Sequence, residues 1–226
     1  MAMFPLQTVL FPGAALPLHV FEPRYRALTA DCLAADRTFG VVLISRGREV
    51  GGGDERVGVG TAAVIEQASP FPDGRWALLA RGTHRIVVET WLPDDPYPLA
   101  QVRTRRSTTN GLDVASLERA TAAVRRARAL LSELGSAPPL AFAMDPASTT
   151  TASAGPGTGR VPAADELEAA TWELCQAAPL GALDRQRLLE TDDAAQRLEM
   201  VAQLCDSLAE DLHRMLGTMG GSETMR

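Results

Sequence analysis

The sequence predicts an α+β protein, a β-barrel followed by helices, and two shifts of composition along the chain carry that expectation. Residues 1–106 hold nine of the eleven aromatic residues and fourteen of the eighteen Val and Ile, the side chains that suit a pleated, half-buried surface. Residues 107–226 are rich in Ala and Leu at three- and four-residue spacing, and they carry seventeen acids against ten Arg where the first part sets eleven against twelve. The net charge of −6 is therefore a property of the helical part.

Seven segments read as short strands: 4–11, 16–21, 39–45, 58–67, 75–81, 85–91 and 97–105. So many short strands in succession favour a barrel. Asp73-Gly74 is expected to make a tight turn, because Gly accepts the positive φ that hairpin loops demand, and Gly82-Thr83 is expected to make a second, with His84 as a turn residue. Between Glu22 and Leu33 the spacing changes. Tyr25, Leu28 and Cys32 follow one another at three and four residues behind Pro23, a residue suited to a first helical turn, so one short inserted helix should plug an end of the barrel.

Residues 113–134 place Leu117, Ala120, Val124, Ala127, Leu131 and Leu134 on one stripe, with Asp113 as N-cap, Gly135 as terminator, and Glu118, Arg125 and Arg128 opposite. The stretch 136–163 has five Pro, three Gly, seven Ser/Thr and only two charges, too little apolar surface to offset chain entropy. It is expected to be a disordered insertion, with 140–144 as its one apolar patch. Residues 164–178 read as a helix with Leu167, Thr171 and Leu174 inward and Trp172 as the bulkiest side chain; Pro179-Leu180-Gly181 ends it. A short helix over 183–190 follows. Asp193 and Gln196 then form a weak capping box for a helix to Met215, whose stripe is Leu198, Val201, Leu204, Cys205, Leu208, Leu212 and Met215. The expected organisation is thus a β-rich part over 1–106, a helix over 107–135 packing with a bundle over 164–216, the insertion between them, and a flexible tail over 217–226.

All 22 basic residues are Arg and none is Lys, which excludes a Walker A loop, Schiff-base chemistry and a Ser-Lys dyad from these residues. No GxSxG elbow occurs. His19, His84 and His213 stand outside metal-ligand spacing of each other and of any Cys, so neither metal nor cofactor is expected; His19 reads as a hydrogen-bonded strand residue. Gly58-Val59-Gly60-Thr61-Ala62-Ala63 matches a dinucleotide fingerprint in letters, but a strand-like run follows it where a helix is required. Gly60 instead suits close backbone approach within a strand. Arg103, Arg105 and Arg106, and Arg125, Arg126 and Arg128, lack aromatic neighbours and suit a solvated face. Cys32, Cys175 and Cys205 are too scattered for a disulfide framework, and Pro5, Pro12 and Pro17 interrupt each apolar run near the N-terminus, so a cytoplasmic protein without a signal peptide or membrane span is expected.

The phrases FPLQTVLFPGAALPLHVFEPRYR, DRTFGVVLISRGREVGGGDERVGVGTAAVIE, DGRWALLARGTHRIVV and YPLAQV, followed by PLGALDRQRLLETDDAAQRLEMVAQL near the end, resemble the N-terminal, substrate-binding domain of the Lon family of ATP-dependent proteases. The resemblance implies a PUA-like β pseudo-barrel with a short inserted helix, followed by a C-terminal helical bundle, and it implies recognition of unfolded substrates. Lon's ATPase and Ser-Lys peptidase domains have no counterpart in these residues. The expectation is a stand-alone, non-catalytic binding module with no catalytic residue to carry over.

Two surfaces are candidates for peptide binding. Glu22, Arg24 and Tyr25 stand where the chain leaves a strand for a helix, an exposed junction, although the same residues also suit a local ion pair and a packed tyrosine. Gly51, Gly52 and Gly53 would leave a loop open to backbone pairing. The expected partners are unfolded or apolar polypeptide segments, with a protease or chaperone as the machine served. Nucleic acid is the competing class, since the PUA-like fold also hosts RNA readers, and an apolar groove distinguishes a polypeptide binder from an Arg- and aromatic-rich RNA face.

Overall fold

A computed structural model describes residues 1–46, 55–135 and 163–220, with side chains to residue 216. Among these residues six strands and five helices follow in the order β1 (Met3–Leu6), β2 (Ala15–Val20), α1 (Pro23–Ala34), β3 (Thr38–Arg46), β4 (Glu55–Pro70), β5 (Trp76–Leu92), β6 (Leu99–Arg105), α2 (Val114–Glu133), α3 (Ala164–Ala177), α4 (Ala182–Glu190) and α5 (Ala194–Gly220). The strands form one mixed sheet with the path β1-β3-β4-β5-β2, and β6 pairs with β5. Only β1 and β3 run parallel. The first half of β5 pairs with β2 and the second half with β6, and β6 reaches back to β1 through the single bridge Ala2–Leu99. Curling of this kind makes an α+β pseudo-barrel whose wall, among the described residues, stays unpaired between β1 and β2.

The expected turn at Gly82-Thr83 is absent, and the expected fifth and sixth strands are one continuous β5. Gly82 has no positive φ. It instead lets the strand pass close to Phe11, whose backbone oxygen would meet any Cβ at this position. The pairing with β4 slips between Ala62 and Ala63, so the chain bends here through a bulge and continues. His84 is accordingly a strand residue. Asp73-Gly74 does turn the chain, with Gly74 at φ 83° and Phe71 N–H donating to Arg75 O at 2.8 Å. The first strand stops at Leu6, short of the expected 11, because Val9, Leu10 and Phe11 leave the sheet to fill the interior. The last starts at Leu99, after the expected 97.

Helix α1 begins at Pro23 and buries Tyr25, Leu28, Thr29 and Cys32 against Phe4, Leu6, Leu16, Phe39 and Ile65, covering one end of the barrel as its spacing predicts. Burial of Leu28 alone is worth about 2 kcal/mol. In α2 the buried stripe is Ala120, Ala123, Val124, Ala127 and Leu130, so Leu130 takes the place expected of Leu131; Asp113 caps Ser116 N–H as anticipated. Helix α3 buries Leu167, Thr171, Trp172 and Leu174. Helix α5 runs past the expected end, and Met215 is 55% exposed, off the buried stripe. The expected insertion over 136–163 and its patch 140–144 lie outside the described residues, Ala163 excepted.

Barrel and bundle share a core. Val9, Phe11, Leu43 and Val59 pack with Trp172, Leu188, Leu189, Leu198 and Val201, and the Phe11 and Trp172 rings lie 5.7 Å apart. Across this junction the buried Arg85 guanidinium of β5 donates to Leu189 O at 2.9 Å, Thr191 O at 3.2 Å, Arg106 O at 2.9 Å and Ser107 Oγ at 3.0 Å.

Candidate functional site

The residues expected at the strand-to-helix junction come together at the unpaired wall of the barrel. Glu22 precedes α1 in extended conformation and gives no side-chain cap; its Oε2 instead accepts from Arg24 Nε at 3.1 Å. Arg24 lies over the Tyr25 ring at 4.5 Å. Tyr25 is only 4% exposed and stacks on Phe4 with centroids 4.1 Å apart. The ion pair and the packed tyrosine are therefore both present, and Glu22 and Tyr25 form one wall of a depression of about 170 Å³ lined also by Phe4 and Leu6 of β1, Pro17 to Val20 of β2 and Phe21. Gly51, Gly52 and Gly53 lie outside the described residues.

Proline placement explains why this wall stays open. Gly82 N–H donates to Ala14 O, one step beyond the Ala15–Arg81 pair, so the even-numbered residues of β2 exchange bonds with β5. The backbone N–H and C=O groups of Ala15, Pro17 and His19 then face away from the sheet, and Pro17 has no N–H to offer. In β1, Gly40 N–H donates to Ala2 O and Met3 N–H to Pro98 O, which turns the missing donor of Pro5 away from β3. Each strand beside the gap thus carries a proline at a position facing it.

Two large aromatic side chains stand exposed beside the depression. Phe21 is 54% and Phe71 is 40% exposed, and the His19 ring packs on Phe71 at 5.6 Å. In place of the expected hydrogen bond, His19 makes a tilted ring contact with Phe71 from an edge strand. Two flags for this site stand in the sequence: Pro17 inside an alternating apolar run marks an edge strand, and Phe71 sits between two prolines where only polar turn residues are needed.

Other side chains give less. Among the described residues no group of His, Cys, Asp and Glu could hold a metal ion, and no helix is long and apolar enough to cross a membrane. All three cysteines are buried free thiols; burial pushes Cys175 up to about 12, far from a reactive thiolate. Three of the six clustered arginines are engaged in ion pairs, Arg103 with Glu89, Arg105 with Asp192 and Arg126 with Asp206. Arg197 lies 3.6 Å over Trp172 and is fully buried, and burial lowers it to about 10; it belongs to the junction of barrel and bundle. A second depression, about 460 Å³ and open, lies on α4 and α5 between Arg187, Met200, Gln203 and Leu204.

This architecture defines a class, the Lon N-terminal domain fold. A solved Lon N-terminal domain protein from Xanthomonas campestris superposes with a TM-score of 0.60 at 27% identity, over 89% of this chain and 95% of that one. The N-terminal domain of Lon protease from the Mycobacterium avium complex shares the fold at 14% identity, with a TM-score of 0.55 over 93% of this chain and 97% of that one. The chain belongs to the family of the ATP-dependent protease La (LON) substrate-binding domain, whose family model matches residues 1–207. Among curated relatives, Lon protease of Cytophaga hutchinsonii is 26% identical over 88% of this chain and 23% of its own length, and Lon protease 2 of Herpetosiphon aurantiacus is 34% identical over 43% and 12%. The chain thus aligns with less than a quarter of these relatives' length.

Proposed function

We propose that the chain is a non-catalytic module that binds unfolded or apolar polypeptide segments in the cytoplasm and serves a separate protease or chaperone. The observation that carries this is the apolar depression at the open wall, where Phe4, Pro17, Leu18 and Tyr25 lie beside the exposed Phe21 and Phe71. A concave apolar surface rimmed by polar residues is what a polypeptide client requires. The family supports the same reading through its substrate-binding role. Glu22, held by Arg24, and Tyr25 supply one wall, and 51–53 remain a proposed second contact.

A single module of this kind binds weakly, with Kd of about 1–100 μM, because it lacks the gain of multivalency. Its affinity tolerates salt, since apolar burial is little screened, whereas an Arg-to-phosphate interface releases counterions and weakens steeply. The deciding experiment is a fluorescence-anisotropy titration of one apolar peptide and one structured RNA at low and high salt. Micromolar, salt-tolerant peptide binding that falls at least tenfold in Phe21→Asp supports the proposal. RNA binding tighter than peptide binding and lost with salt sinks it. The purified chain is also expected to hydrolyse neither ATP nor casein, and turnover abolished by a point substitution in this chain would show the opposite.

A further inference from the structure

We propose that the polypeptide is taken as an added β-strand along the outer edge of β2, with Pro17 setting its register. This rests on the peptide-binding reading above and goes further, because it names the conformation of the client and the backbone groups that hold it.

Among the described residues strand β2 ends the path of the sheet and pairs only with β5. Its outward groups are therefore two donors, the N–H of Ala15 and of His19, and three acceptors, the C=O of Ala15, Pro17 and His19. Among the described residues no hydrogen bond reaches any of them from beyond the sheet. An occupant must meet that row with alternating N–H and C=O groups at a two-residue repeat. A helix bonds its own backbone internally and presents no such row. An extended polypeptide does.

Side chains narrow the client further. Leu16 and Val20 are buried and Leu18 half-buried, whereas Pro17 and His19 are exposed. A strand laid beside β2 continues that alternation, directing every second side chain over Leu18, Phe4 and Tyr25 and the others over Pro17 and His19, which line the same depression, toward Phe71. The client segment is about five residues long, extended and apolar or aromatic at alternate positions. The rim adds little net charge, since Glu22 pairs with Arg24 and Asp73 with Arg75, so an uncharged segment fits best. Pro17 also argues against a second copy as the occupant. Two β2 edges meeting antiparallel would each bring a residue without a donor to the middle of a short ladder.

The test uses the full chain and one apolar peptide in three forms: unmodified, N-methylated at the odd positions, and N-methylated at the even positions. N-methylation deletes backbone donors while keeping the side chains. Strand addition predicts that one methylated frame binds at least tenfold more weakly and the other within about twofold of the parent. Equal affinity in both frames overturns the inference while leaving the peptide-binding reading intact. Failure of the unmodified peptide to bind sinks that reading itself. In a second arm, His19→Pro removes an edge donor that β5 does not use; binding should fall at least tenfold with Tm nearly unchanged. If this variant does not fold, the methylated peptides decide alone. A wild-type dimer that peptide cannot dissociate, seen by sedimentation, would make a second copy the occupant and overturn the proposal.

Discussion

Gly58 and Gly60 stand two residues apart on β4, and only one of them is held by its surroundings. A Cβ on Gly60 would run into the backbone oxygen of Val41 and the side chain of Val42 on the paired strand, whereas one on Gly58 would meet nothing within 4 Å. Gly60→Ala is therefore expected to cost about 3 kcal/mol and Gly58→Ala less than about 0.5, read as the shift of the urea midpoint. The role of Gly60 is legible in the sequence, where a strand-like run after GxGxxA points to close packing in place of a nucleotide, but nothing local sets Gly58 apart from it. Arg85 was not legible, because its partner at Leu189 O lies 104 residues away. Arg85→Met takes the donor from Leu189 O and Arg106 O and the ion-pair partner from Asp192, and should cost about 3–5 kcal/mol. Arg197→Met should cost much less, about 1 kcal/mol. Two of the Arg197 nitrogens, Nε and Nη1, have no partner to lose, and a thioether still packs on Trp172. Equal losses in the two variants would contradict this account.

Among the elements, α1 is fastened to the barrel from outside its own sequence. Tyr97, in the connection before β6, donates its hydroxyl to Asp31 Oδ2 of α1 at 2.7 Å. That hydrogen bond, with burial, raises Tyr97 to about 12, above the ordinary phenol value of about 10. The folded state thus favours the neutral phenol, and the associated stability is complete below pH about 10 and lost as pH rises toward 12. Tyr97→Phe should cost about 1 kcal/mol at pH 8 and narrow to nothing against wild type near pH 12, measured by denaturant titration at each pH. Most elements could be placed from local pattern, since Pro23, Asp113 and the Asp73-Gly74 turn act on their immediate neighbours. β5 could not be placed whole. Gly82-Thr83 has the letters of a turn, and only the approach of Phe11 from another part of the chain shows that its glycine serves packing. For the candidate site, Glu22, Arg24 and Tyr25 were found at a junction, but the open edge beside them follows from which strands pair. Strand order is non-local, and no periodicity within β2 reveals it.

At the scale of the molecule, the barrel and the helices hold together through a core and one polar clasp. Asp192, between α4 and α5, accepts from Arg105 Nε at 2.6 Å and Nη2 at 3.0 Å and pairs with Arg85 at 3.0 Å. These contacts hold its carboxyl below the usual carboxylate value, the hydrogen bond from Arg105 contributing most. A depressed carboxylate stabilises the fold above its unfolded value of about 4, and that contribution is lost as pH falls through the lower folded value. The side chain is 51% exposed, so after solvent screening the share is about 1 kcal/mol. The apolar part of the junction, with Phe11 against Trp172 and α2 against α5, does not titrate. A chain cut once at an engineered protease site between residues 147 and 160 should therefore remain a single species on gel filtration at pH 7, because α2 on one fragment packs against α5 on the other. Its Tm should fall as pH drops below about 4. Asp192→Asn in the same cut chain should begin lower at pH 7 and lose less in acid. Separation of the fragments at neutral pH would mean that the shared core does not hold the halves together.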